Sequence, residues 1–294
     1  MICFRRIAFV IIAGLFGGVA GGPVGQGFAA DKPVIHWISG PIPEAVIEEN
    51  GQMSGGFLFE TVRWFASRMP GYTHRYQLVP LKRTHQLLQN ADRIYCGFSL
   101  LRNAARARLY HFSEPIHWAQ GFRAGYRAGN EDVEHSLIEG KGLDMAQFLA
   151  GTGKAGRILG RSYNPQLDLF LEELKGQGRL LEVPEQAGLM EMLGRDRIDL
   201  LIDYPRMFLG TEKLSTVSVI GVKPYNAIHF ACAMTTEGRA VIDRVDGIIA
   251  DEPALPGYAA FRLRMLPPDH ARALADQFVR YREDNNPQSS DEAG

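Results

Sequence analysis

Ile94-Tyr95-Cys96-Gly97-Phe98-Ser99-Leu100-Leu101-Arg102-Asn103-Ala104-Ala105-Arg106 is the stretch on which the fold turns. Ile94 to Leu100 reads as a compact apolar strand, and it runs directly into a polar loop, Ser99 to Arg106, that carries two arginines. Upstream, Val34 to Ile38 is a second apolar run, broken at Ser39-Gly40-Pro41. Between the two, Leu58, Val62, Phe65 and Met69 recur on one helical face that stops at Pro70-Gly71. Tyr76 to Val79 reads as a strand and Thr84 to Gln89 as a short helix. The order β-α-β-α-β predicts a parallel sheet with crossover helices.

A second series of the same kind follows downstream. A helix is expected over Met145–Ala150, then a strand over Arg157–Leu159. Leu167, Phe170, Leu171 and Leu174 stripe another helix, ended by Gly176-Gln177-Gly178. Leu180–Val183 and Ile198–Ile202 read as strands around a helix at Glu185–Leu193. Thr216–Val222 and Ile228–Met234 read as extended, Gly238–Ile249 and Ala271–Tyr281 as helices, and Glu283–Gly294 as a disordered polar tail. Ligands of parallel α/β sheets bind beyond the carboxyl ends of the strands. The loops there are Ser39-Gly40-Pro41, Ser99 to Arg106, Gly160-Arg161-Ser162-Tyr163 and Asp203-Tyr204-Pro205.

The whole chain has 294 residues, 46% apolar and 22% charged, with a formal net charge of −1. That length suggests about two domains. A near-neutral balance argues against nucleic acid as the main partner, because neutralising phosphates needs a basic excess. No apolar run beyond residue 30 approaches the length of a membrane span. The first residues are different: Arg5 and Arg6 precede an apolar stretch, Ile7 to Phe16, and a Gly/Ala-rich segment ending in Gly27-Phe28-Ala29. This is the order of a signal peptide, assigned to residues 1–29, with Gly18-Val19-Ala20 an earlier cleavage candidate and an uncleaved anchor the alternative. Export to the periplasm is expected.

Motifs for chemistry are few. Gly151-Thr152-Gly153-Lys154-Ala155-Gly156 matches a dinucleotide pattern, but it follows a helix and precedes a strand, the reverse of the order that aims a helix N-terminus at a pyrophosphate. It reads as a turn. The eight histidines are scattered, and no metal spacing or cofactor motif is present. His111 and His117, flanking Ser113-Glu114-Pro115, are expected at the surface. Arg102, Arg106 and Arg108 form either a solvated basic face or a guanidinium fork for a carboxylate. Asp203 emerges from the apolar run Leu200-Leu201-Ile202 and needs a cationic partner, either a structural arginine or a ligand ammonium.

Gly55-Gly56-Phe57, then Leu101 to Arg106, then Phe112-Ser113-Glu114-Pro115, resembles the first lobe of the bacterial family 3 extracellular solute-binding proteins. Gly194-Arg195-Asp196-Arg197-Ile198-Asp199 followed by Asp203 resembles their second lobe. Trp37, Pro41, Pro70-Gly71-Tyr72 and Cys96 point to a poorly characterised branch. The resemblance implies an α/β type II periplasmic binding protein fold: two lobes joined by two crossing strands, lobe 1 over 31–123 and 227–294, lobe 2 over 124–226. It implies that Arg106, beside Ser99 and Asn103, holds a ligand carboxylate, and that Asp203 holds an ammonium. Gly160, Arg161 and Ser162 would contact the carboxylate, and Trp37 would pack on the ligand.

Two positions depart from the family pattern. Asn103 stands in place of a threonine, and so does Arg161. A second cleft arginine favours a more anionic ligand; alternatively Arg161 pairs with Asp203 and loses any ligand role. The implied topology makes Cys96 and Cys232 neighbours in one sheet, expected as two buried free thiols. The function implied is capture of an amino acid or organic acid by a monomer, without cofactor or metal, for a membrane permease. The alternatives are a sensing subunit for a separate membrane signalling protein, or a periplasmic lyase or dehydratase using Glu44, Glu114 or Asp203 as acid or base.

Overall fold

The computed structural model describes residues 31–285 apart from 185, 209 and 212. The segment read as a signal peptide and the tail from residue 286 lie outside the described residues. Two five-stranded mixed sheets form two lobes. In the first, the order is Thr73–Leu78, Val34–Ser39, Ile94–Leu100, Tyr225–Ala233, Tyr110–Gln120. The first three strands are parallel, Tyr225–Ala233 runs against them, and Tyr110–Gln120 runs against Tyr225–Ala233 and so along the first three. In the second, Leu180–Val183, Ala155–Ile158 and Leu200–Asp203 are parallel, flanked by Arg123–Arg127 and Leu214–Ser218 in antiparallel register.

Each sheet is covered by helices that bury one apolar stripe. Phe57–Ser67 buries Leu58, Val62 and Phe65 against Trp37 and Phe230. It starts at Gly56, whose φ of 100° and contact with the Ala45 backbone leave no space for a side chain. Pro165–Gly176 buries Leu167, Phe170, Leu171 and Leu174 in the second core, capped by the Asn164 side chain. The last helix runs Pro268–Asp284, so Glu283 and Asp284, expected in the disordered tail, are helical.

The chain passes between the sheets twice, from Gln120 to Arg123 and back from Ser218 to Tyr225. Gly121 donates to the Pro224 carbonyl at 2.6 Å, and a Cβ at that position would overlap the Lys223 carbonyl oxygen. Gly121→Ala is therefore expected to destabilise the protein by roughly 1–3 kcal/mol in denaturant unfolding, because backbone and not a flexible side chain must move.

The strand Tyr110–Gln120 has no counterpart in the sequence reading, because Ser113-Glu114-Pro115 reads as a turn. The structure absorbs Pro115 with register shifts opposite Ile228, His229 and Ala231. The Ser113 hydroxyl accepts from the Phe230 amide at 3.0 Å, and His229 Nδ1 donates to the Ser113 carbonyl at 2.8 Å. His117 consequently lies inside this strand and is buried, not at the surface.

Cys96 and Cys232 are directly opposed, with Cα atoms 4.1 Å apart, and are joined by a disulfide. This corrects the expectation of two free thiols. The return strand runs antiparallel to Ile94–Leu100, and a directly opposed antiparallel pair brings two side chains within bonding reach.

Candidate functional site

The loops at the strand ends meet across the lobes. Asn103 caps the short helix Ala104–Ala107 by accepting from the Arg106 amide at 2.8 Å, which fixes where Arg106 begins. The Arg106 guanidinium is buried. It donates to the Leu101 carbonyl and, across the lobe boundary, to the Gly160 carbonyl, both at 3.1 Å. A further bond, at 3.2 Å, joins its Nη2 to His85 Nε2. Arginine has no acceptor, so His85 accepts through Nε2 and its Nδ1 carries the proton toward the Tyr110 hydroxyl, 3.2 Å away. Nε and one Nη1 hydrogen of Arg106 remain for other acceptors.

A second bridge runs beside the first. Asn103 Nδ2 donates to Ser162 Oγ at 2.9 Å, and Ser162 donates onward to Asp168 at 2.5 Å. Gly160 has a φ of 81°, and a Cβ there would lie 3.6 Å from the His85 ring, so the turn sits close on the first lobe. Ser99 stays within its own lobe, its hydroxyl 3.1 Å from that of Ser39 at the neighbouring strand end. Arg106, Asn103, Gly160 and Ser162 are thus brought together.

Burial, and then the adjacent Arg106 charge, pull the His85 pKa from its usual value down to about 4. The folded state binds this proton less well than the unfolded chain. Its contribution to stability is full above pH 6.5 and is lost as pH falls toward 4. Acidification across that window is expected to lower the stability by up to ~3 kcal/mol from this residue, and with it the melting temperature. His85→Gln should flatten that part of the pH profile in thermal unfolding.

Arg161 and Asp203 form a separate knot. Asp203 is fully buried and its two oxygens accept four bonds: Arg161 Nη1 at 2.9 Å, Arg161 Nη2 at 2.6 Å, Gln186 at 2.5 Å and the Tyr204 amide at 2.7 Å. Burial alone would lower the Arg161 pKa, but the carboxylate outweighs it and raises the value. Phe122, Tyr163 and Tyr204 ring the guanidinium, with centroids 5.9, 5.0 and 5.4 Å away. Every acceptor position of Asp203 is taken, so the partner left open by the sequence is a structural arginine.

Trp37 also departs from its expected place. It is fully buried in the first core, packed on Phe230 with its indole N–H donating to His74 at 3.1 Å, and it does not face the other lobe. The run around it, Ile35-His36-Trp37-Ile38, is buried on both faces as an inner parallel strand must be. The acid–base alternatives are engaged as well. Glu44 pairs with Arg262 at 3.3 Å, and Glu114 accepts from the Tyr281 hydroxyl at 2.5 Å. Sequence reasoning missed His85, Asp168 and Gln186, which carry these networks; each lies on a helix and has no motif of its own.

No family model matches the chain, and no curated protein matches it in sequence. Solved structures do match in shape. An amino acid ABC transporter substrate-binding protein, AbpA from Streptococcus pneumoniae, bound to L-arginine, superposes with a TM-score of 0.58 and 12% identity, over 85% of this chain and 95% of its own. The fold is that of the type II periplasmic binding proteins. A histidine kinase sensor domain with similarity to periplasmic binding proteins matches at 0.57 and 14% identity, over 85% and 96%. The ancestral amino acid-binding protein AncCDT-1, a precursor of cyclohexadienyl dehydratase, matches at 0.56 and 12%, over 74% and 87%. The shared type II architecture puts the Arg106 and Gly160–Ser162 loops at carboxyl ends of parallel strands in both lobes. Among the described residues no helix is long and apolar enough to cross a membrane.

Proposed function

We propose that this chain is an exported, monomeric binding protein of the family 3 type that closes on a small carboxylate and presents it to a membrane permease. The observation that carries this reading is the pair of bridges from the end of Ile94–Leu100 to the opposite turn, Arg106 to Gly160 and Asn103 to Ser162. Such groups are available to a ligand when the lobes part and enclose it when they meet. The two remaining Arg106 hydrogens supply the charge-assisted contact for a carboxylate oxygen. The saturated Asp203 has no acceptor for an ammonium, which favours an organic acid over a zwitterionic amino acid. The Cys96–Cys232 bridge is consistent with an oxidising compartment and hence with a cleaved signal at residues 1–29. Lobe boundaries near residues 123 and 227 follow from the same reading.

A thermal-shift screen of organic acids and amino acids tests it. A cleft ligand at a hundred times its Kd stabilises by about 2.7 kcal/mol. An organic acid is expected to raise the melting temperature where the corresponding amino acid does not. Stabilisation by amino acids alone would overturn the assignment of Asp203, and no response from either class would overturn the binding function. Turnover of a stabilising acid would favour the lyase reading, which the dehydratase-precursor neighbour makes worth assaying.

A further inference from the structure

Beside the two crossing strands lies a small cavity of about 20 Å³, walled by both lobes: Tyr204 and Arg206 from one, His117, Gln120, Arg262 and His270 from the other. A void of that size admits a water or a compact ion. Its walls are strongly one-signed. Arg206, on the turn Pro205–Phe208, is partly buried, and its Nε is buried with no hydrogen-bond partner among the described residues. Its guanidinium lies 5.0 Å from the centre of the Tyr204 ring. Arg262 is buried over the Phe57 ring at 4.6 Å, and its one carboxylate, Glu44, is half exposed and reaches it at 3.3 Å. Burial and then the two arginines hold the His117 pKa well below its usual value. Burial lowers that of Arg206 too, and Arg262 adds to the effect. Asp203, next in sequence to Tyr204, is already saturated.

A buried and a partly buried guanidinium line one cavity, and the half-exposed Glu44 answers Arg262 alone, which leaves a positive charge without a paired carboxylate among the described residues. Burying an unpaired charge is expensive, and a donor without an acceptor adds to the penalty. We propose that this cavity is an anion site, taking a small inorganic anion of halide size that accepts from the Arg206 guanidinium on one lobe and from that of Arg262 on the other. The site is separate from the Arg106 bridges. Because the two arginines belong to different lobes, a bound anion favours the closed arrangement and acts as a second clasp.

The full chain is melted in sodium gluconate, whose anion is too large for the cavity, and in sodium chloride or bromide at matched ionic strength. Halide is expected to give a saturable rise of roughly 5 °C at a hundred times its Kd. Arg206→Met should lose that rise while melting in gluconate no lower than the parent protein, since it removes an unanswered charge. Arg106→Ala should keep the rise, so failure of the carboxylate reading leaves this test intact. Equal melting in all three salts, or a rise retained in Arg206→Met, would overturn the proposal. Bromide-soaked crystals give an independent reading. An anomalous peak in the cavity, within contact distance of the Arg206 and Arg262 guanidiniums, is expected, and an empty cavity there would overturn the site whatever the variants do.

Discussion

Arg106→Ala is expected to abolish detectable binding of whichever carboxylate stabilises the parent protein, a loss of about thirtyfold to several thousandfold in affinity. The size follows from desolvation. A carboxylate closed between the lobes and stripped of its guanidinium keeps its charge but loses its partner. The same change removes the contacts to Leu101, Gly160 and His85, one of which crosses the lobes. The variant should therefore also sample open arrangements more often, read as a larger radius of gyration in X-ray scattering without ligand. Retention of parent-like affinity, measured by calorimetry, would make Arg106 a latch between lobes and nothing more.

Arg161→Ala is expected to lower stability by about 3–5 kcal/mol in denaturant unfolding, because it strands a fully buried carboxylate. Asp203→Asn keeps the shape and the Gln186 and Tyr204 neighbours but strands the guanidinium inside its aromatic ring of Phe122, Tyr163 and Tyr204, and should cost a comparable amount. The double change Arg161→Met, Asp203→Leu should recover much of the loss, since replacing a whole buried pair by apolar groups is often close to neutral. Failure of the double variant to recover would mean that the pair also orders the Gln186 helix for a purpose beyond its own charge balance.

The sequence made the parallel core of both lobes readable, since inner strands such as Ile94–Leu100 and Leu200–Asp203 are continuous apolar runs and their helices carry clean stripes. It was less clear at edges. Thr73–Leu78 alternates polar and apolar residues and reads as a shorter strand than it is. Tyr110–Gln120 was hidden by Pro115, whose place depends on a bulge that pairing across 117 positions creates. At the site, the position of Arg106 beyond a strand end was legible, as was the alternative that Arg161 pairs with Asp203. Choosing between that pair and a ligand ammonium required counting the bonds at Asp203, which depend on Gln186 and the Tyr204 amide. Trp37 was misplaced because an aromatic beside a loop can point along the strand's inner face as easily as out of it. The paired cysteines turned on strand direction, which local sequence does not encode.

Cys96 and Cys232 are 136 positions apart, and between them the chain builds the whole second sheet before returning. Lobe 2 is therefore an excursion from a covalently sealed ring, and its point of departure and point of return are sealed by the same bond. A protease that cuts an exposed loop of that lobe would sever the backbone without dividing the molecule. The two pieces would migrate as one until a reductant is added. A nick in the second lobe would then be an injury survived in one piece, with both halves still tied together at the first sheet.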